Sequence, residues 1–503
     1  MNFFSKYKKI IFSSIFFVIA FFVFFVLPTN HAEAATRTWR GTTDSNWGTD
    51  TNWLEGAVPL STDDVVFDAS SPACTVNTST RAAKTLDFSA YTNTITMSAG
   101  IAVSGSITFG TSMTISGGAS LIVNDTSTLT SNGVTWPNSL TFQGLSKTHT
   151  FADDWHIGAQ LILSGTTALI LNGSNVYIGT NLTSNTTATT SGTTNLIMNG
   201  TGTWSNSSTG KITNNLTFNT AGTISIVNNV RYSGGTMTYT AGTMNVGATS
   251  FLVLSAASTL NTGGMTWNNV TVITASQTIT LLSDLNIGGN AAFGATTINV
   301  TINGAYNVNV LGNMSWVGTT GTLAGSATIV LNGTGNWSMP NITTGSWNIA
   351  TVINTSGTYT LTSNILFGNT TAALTYTAGT FVTTGYYLRT GIMVLDMNGL
   401  TIWGLSISTA SGAITQLASD LVISNSFINA DSASHMTIKS NSAGTQRKLT
   451  LLPGATHDLR LLDATDIDSS EGQTIWSYGG VLSNATNWKD SSLLPTIAYV
   501  FVF

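Results

Sequence analysis

The sequence predicts an all-β chain wound as an extended right-handed parallel β-helix, or β-solenoid, with N- and C-terminal caps. Three observations predict it. A Trp-led segment returns along the chain, roughly one residue in six is Thr while charged residues make up only 7%, and apolar and polar residues alternate with period two. Thr, Val, Ile and aromatics suit half-buried pleated surfaces, whereas Gly and Asn suit the bends between them.

The repeat reads TWNNVTVITASQTITLLSDLNIGG from Thr266, TIWGLSISTASGAITQLASDLVIS from Thr401 and TWPNSLTFQGLSKTHTFADDWHIG from Thr135. Trp136, Trp267 and Trp403 mark its start at nearly equal intervals. Two further landmarks keep that step. LIMNGTGTWS and IVLNGTGNWS set Trp204 and Trp337 one such interval apart, and MTYTAGT from Met237 returns as LTYTAGT from Leu374. A shorter Trp-led module from Ser346 carries Trp347 inside one unit, so the large repeat is built from smaller turns. Repeats of this kind are stacked units that cover one another's apolar faces.

Alternation is visible in TISIV from Thr223, INVTI from Ile298 and VNVLG from Val308, which predicts many short strands. A row of antiparallel sandwiches is the rival architecture. Regularly spaced Asn-Gly or Asp-Gly hairpin signals are lacking, and uncharged Thr, Ser and Asn suit a solenoid, where like residues stack about 4.8 Å apart. At about 20–25 residues per turn the rod is expected to be on the order of 80–100 Å long.

Residues 1–34 read as a secretory signal peptide: Lys6, Lys8 and Lys9 precede an apolar run from Ile10 to Leu27, followed by Ala32-Glu33-Ala34. An uncleaved anchor is the alternative reading of the same run. Removing this leader takes 16 basic and 21 acidic side chains to 13 and 20, a formal charge of −7. Such a chain lacks the basic stripe that a nucleic-acid partner requires. A single cysteine, Cys74, excludes an intrachain disulfide. The expected organisation is therefore a leader at 1–34, a Trp- and Asp-rich N-terminal cap at 35–70, the β-helix with its long internal repeats at 71–430, and last turns plus C-terminal cap at 431–503.

The cap segment contains Trp39, Gly41, Asn52, Trp53, Gly56, Pro59, Asp63, Asp64 and Asp68. This pattern resembles the opening segment of bacterial secreted adhesin-like right-handed parallel β-helix surface proteins of the autotransporter-passenger kind. The resemblance implies an exported or surface-located protein and transfers no catalytic residue. Independently, Trp39, Trp47 and Trp53 are suited to covering the open end of an apolar core.

Chemistry is sparse. Trp136, Trp267, Trp347 and Trp403 share a frame, as structural residues or as a platform for stacking sugars. Asp463, Asp466, Asp468 and Glu471 offer clustered oxygens for Ca²⁺, although the loop glycine and the twelfth-position Glu of a calcium loop are absent. No other cofactor is expected. Asp153-Asp154-Trp155-His156 joins an acid pair to a His, yet the aligned Ser283-Asp284 and Ser419-Asp420 make one Asp a turn residue of the repeat. Asp63, Asp64 and Asp68 are expected to order a turn.

The expected function is that of an exported, non-enzymatic surface or extracellular rod, adhesin-like, contacting glycans or other surfaces. The alternative is a polysaccharide lyase or hydrolase on a β-helix, which needs acidic ligands and a base on neighbouring turns; Lys147, Lys211, Arg231 and Arg389 are scattered instead. Ice or crystal-surface binding would need flat ranks of Thr-x-Thr, and Thr236-Met237-Thr238, Thr278-Ile279-Thr280 and Thr358-Tyr359-Thr360 recur at irregular intervals. For the apolar end, LLPTIAYVFVF from Leu493, a capping strand, a barrel-type closing strand and a truncated anchor remain open readings.

Overall fold

Short strands that alternate apolar and polar side chains can bury one face only by stacking on like strands, and this chain does so throughout. The computed structural model describes residues 35–493 except 145, 166–167, 186, 188, 207–208, 274–275, 295–298, 319, 340–343, 369–371, 408–411 and 430–433. The leader and the apolar tail from 494 lie outside the described residues. With 59% strand against 1% helix, the chain forms a parallel β-solenoid of about 19 turns. At about 4.8 Å per turn that is a rise on the order of 90 Å.

The register shows how the core is built. Leu121, Leu140, Leu161, Leu182, Trp204 and Ile226 pair in sequence, each one turn beyond the last, and all face inward. A second inward column runs Trp155, Val176, Leu196, Leu216, Met237, Leu260 and Leu281. Both belong to one contiguous apolar core extending from Trp39 to Trp488. Neutral hydrogen-bonding residues also stack from turn to turn. In one ladder Asn269 Oδ1 accepts from Asn290 N, Asn290 Oδ1 from Asn313 Nδ2 and Asn313 Oδ1 from Asn336 N, each at 2.9 Å. Such a ladder works because amides both donate and accept, which stacked charges cannot.

Several strands are longer than the sequence predicts. Asn215–Val227, Thr236–Val246, Thr320–Leu331, Thr344–Leu361 and Ala372–Val382 are the clearest cases, the longest of them covering 18 residues. Their ladders run around corners through register shifts, for instance between Asn219 and Thr223. The repeated TYTAGT motif makes two of these corners. Gly242 and Gly379 take left-handed φ of 119° and 102°, and the hydroxyls of Tyr239 and Tyr376 donate to their carbonyls. A corner of this kind bends the chain without ending the strand.

Parallel pairing begins early, with Thr36–Thr38 on Asp64–Val66 and the latter on Thr85–Asp87. Beside this first rung Trp39, Trp47, Trp53 and Phe67 form a buried aromatic cluster with ring centroids 4.9–6.1 Å apart.

Candidate functional site

Inward-facing aromatics leave solvent, and this decides the fate of most of the tryptophans singled out by the repeat. Trp136, Trp267 and Trp347 are 3%, 0% and 0% exposed. Trp136 Nε1 donates to Ser139 O and Trp347 Nε1 to Thr351 Oγ1. Their ring faces are packed against the core and offer no surface to a sugar. Trp403 differs: it sits half-buried at a register shift, edge-on to Tyr387 at 5.1 Å, its backbone N–H donated to Thr383 Oγ1.

The acidic quartet is dispersed over separate tasks. Asp463 accepts from His435 Nδ1 and Val481 N. Asp466 accepts from Asn484 Nδ2 and Gly444 N, and these bonds hold its carboxyl below the ordinary value. Asp468 is likewise lowered by the hydrogen bonds of Ser470, and Glu471 pairs with Lys448. Among the described residues no three His, Cys, Asp or Glu side chains converge as a metal-holding group.

Asp153 and Asp154 serve the backbone. Asp153 accepts from Ser131 N and Asn132 N on the preceding turn, at 2.7 and 2.6 Å, and Asp154 from Asn175 N on the following turn. The aligned pairs repeat this division: Ser283 and Ser419 accept from Gly263 N and Asn398 N behind them, while Asp284 and Asp420 accept from Asn307 N and Lys448 N ahead. His156 stacks flat on Tyr177, with centroids 4.4 Å apart. Near the N-terminus Arg37 pairs with Asp63, Lys84 with Asp64 and Arg40 with Asp68. Hydrogen bonding by Ser70, then Arg40, holds Asp68 at about 2.

Two surface clefts were not foreseen from the sequence. The first, about 450 Å³, is lined by His457, Asp458, Leu459, Arg460, Trp476, Tyr478 and Ser491. Tyr478 is 59% exposed. The Asp458 and Arg460 side chains are 73% and 60% exposed and lie 3.6 Å apart. His457 Nε2 accepts from Trp476 N, which leaves Nδ1 as the protonated nitrogen, and burial lowers its pKa. Lys489 Nζ sits 5.2 Å from the Trp476 ring centroid. The second cleft, about 350 Å³, lies along Met339, Ser363, Asn364, Leu366, Tyr386 and Arg389. One signal for the first was present in the sequence: Trp476 and Tyr478 alternate with Ile475 and Ser477, so both aromatics take the outward phase of a strand.

Inside the solenoid, His149 is fully buried, hydrogen-bonded through Nδ1 to Ser127 Oγ at 2.8 Å and packed on Phe142 with centroids 4.4 Å apart. Burial lowers its pKa to about 4. Cys74 is also buried, and burial pushes its thiol well above the ordinary value. Among the described residues no helix is long and apolar enough to cross a membrane. No protein-family model, curated protein or solved structure matches the chain.

Proposed function

We propose that this chain is an exported, non-enzymatic surface or extracellular rod of the adhesin-like kind, which holds glycans or other surfaces through many weak contacts. The observation that carries the reading is one continuous solenoid of about 19 turns whose outward positions are dominated by Thr, Ser and Asn. An extended rod presents the same hydrogen-bonding chemistry over a long distance, so affinity grows by multivalency rather than from one deep pocket. The Asp153–Asp154 pair and its Ser283–Asp284 counterpart, already hydrogen-bonded to neighbouring turns, favour a structural role for those groups. In this reading the right-handed coil is closed at one end by the Trp39, Trp47 and Trp53 cluster, and the leader directs the rod out of the cell.

The test is to incubate residues 35–503 with a glycan panel and to record both retention and chain cleavage. Retention without cleavage is expected. Reproducible cleavage abolished by Asp153→Ala or Asp154→Ala would establish a polysaccharide-cleaving enzyme instead.

A further inference from the structure

The turns of the solenoid change length near its C-terminal end. Upstream, the turns that pair Leu121 with Leu140, Leu161 and Leu182 are of nearly constant length. In the last turns the separation between paired residues is 30 for Ser426 and Thr456, and it then shortens sharply from Arg460 to Tyr478 and again from Ile475 to Trp488. A turn of more residues stacked on progressively shorter ones cannot be covered along its whole length, and part of it is left open. The segment from His457 to Arg460 pairs with the Trp476–Tyr478 segment of the next turn, and the 450 Å³ cleft is lined by both. Its volume falls in the range of about 300–1,000 Å³ typical of small-ligand sites.

The lining has three chemical parts. Trp476 and Tyr478 provide aromatic surface, and Tyr478 is the more open at 59% exposed. Asp458 and Arg460 place an acceptor-only carboxylate beside a donor-only guanidinium, 3.6 Å apart and both largely solvated. His457 adds a donor, because its Nε2 is occupied by Trp476 N, and Ser491 adds a hydroxyl. The Arg460 backbone is clamped on both sides, its N–H donated to Asn429 Oδ1 and its carbonyl accepting from Asn429 Nδ2. Its side chain thus starts from a fixed point.

From this constellation we infer that the cleft is a saccharide-binding subsite for a neutral pyranose unit. The axial C–H face of such a ring stacks on an aromatic face, while its hydroxyls need acceptors and donors side by side. Asp458 accepts from two hydroxyls and Arg460 donates to a neighbouring one. The Asp458 and Arg460 charges cancel, and the Lys489 ammonium is engaged on the Trp476 ring, 5.2 Å from its centroid, so the lining holds no unengaged cation to favour a uronate over a neutral sugar. This deepens the glycan-contacting reading proposed above and rests on it, adding one defined place on the rod with its own specificity.

The experiment is calorimetric titration of the full exported chain with tetrasaccharides of glucose, mannose, galactose and N-acetylglucosamine, and with a tetragalacturonate as the acidic probe. Tyr478→Ala and Asp458→Asn change exposed side chains, and unaltered circular dichroism and melting would show that both variants fold. At least one neutral tetrasaccharide is expected to bind, with affinity reduced at least about tenfold in each variant and unchanged in Tyr306→Ala, which alters an exposed tyrosine elsewhere. Binding that persists in Tyr478→Ala and Asp458→Asn would overturn the cleft assignment while leaving the rod's glycan contacts standing. Binding of tetragalacturonate alone would overturn the neutral specificity. If the chain retained no glycan of either this set or the wider panel, both readings would fall.

Discussion

Acidification should loosen the solenoid locally at His149, and His149→Leu should remove that sensitivity. In the folded chain burial holds the imidazole at about 4, against 6.5 for the free side chain. As pH falls, the unfolded state takes up the proton first, so stability is lost between about 6.5 and 4 and the loss saturates below the folded value. A depression of this size corresponds to about 3 kcal/mol in full, and about 2 kcal/mol at pH 5. The Asp125–Lys147 ion pair and the Ser127 hydroxyl are the nearby polar groups, and the pair's two charges act on the imidazole in opposite directions. Leu is a natural replacement because Leu171 follows His149 in the same inward column. The assay is hydrogen exchange of strands Ser127–Thr130, Lys147–Phe151 and Leu169–Gly173 at pH 7 and pH 5, with each protein compared with itself at the two pH values. A solenoid opens locally, so exchange in these strands reports the site better than a global melt. Equal losses in wild type and His149→Leu between pH 7 and 5 would refute the assignment. Asp68, held at about 2, titrates in a lower window and does not obscure the measurement.

Two further substitutions test the architecture. Gly173→Ala should cost more than about 1 kcal/mol, because Gly173 has φ of 98° and an added Cβ would meet Phe151 O at 2.0 Å; denaturant unfolding with exchange mapped to the neighbouring turns would reveal it. Asp153→Ala should cost about 1–3 kcal/mol by freeing two backbone donors, measured in the same way, with glycan retention unaltered.

The fold was legible because it is written in properties that every turn must satisfy. Period-two alternation in segments such as Thr223–Val227, neutral stacking residues and a recurring Trp-led motif all follow from the need to bury one face against the next turn. The long strands were not legible, because a corner that keeps its ladder through a bulge looks like a break in alternation; only the pairing resumed beyond each register shift shows that the strand continues. The repeat sets four tryptophans in one frame of the sequence, but frame alone does not tell inward from outward. Trp136, Trp267 and Trp347 point into the core, and Trp403 escapes full burial at a register shift between Ile402 and Gly404. The cleft was hidden for a different reason: its walls come from segments on successive turns, brought together only by the pairing of Arg460 with Tyr478.

This contrast bears on where function can arise in such a molecule. A regular turn commits its polar residues to its neighbours, as the pairs at 153–154, 283–284 and 419–420 do by holding one turn behind and one ahead. Groups so engaged have little capacity left for a ligand. Where the turns shorten abruptly, from the one joining Ser426 to Thr456 to the one joining Ile475 to Trp488, the ladders shrink to three-residue stretches and to the isolated bridge of Arg460 to Tyr478. Side chains such as Asp458, Arg460 and Tyr478 are left largely exposed to solvent there. Repetition therefore supplies length and rigidity, and the interruption of repetition is what frees residues to recognise something else.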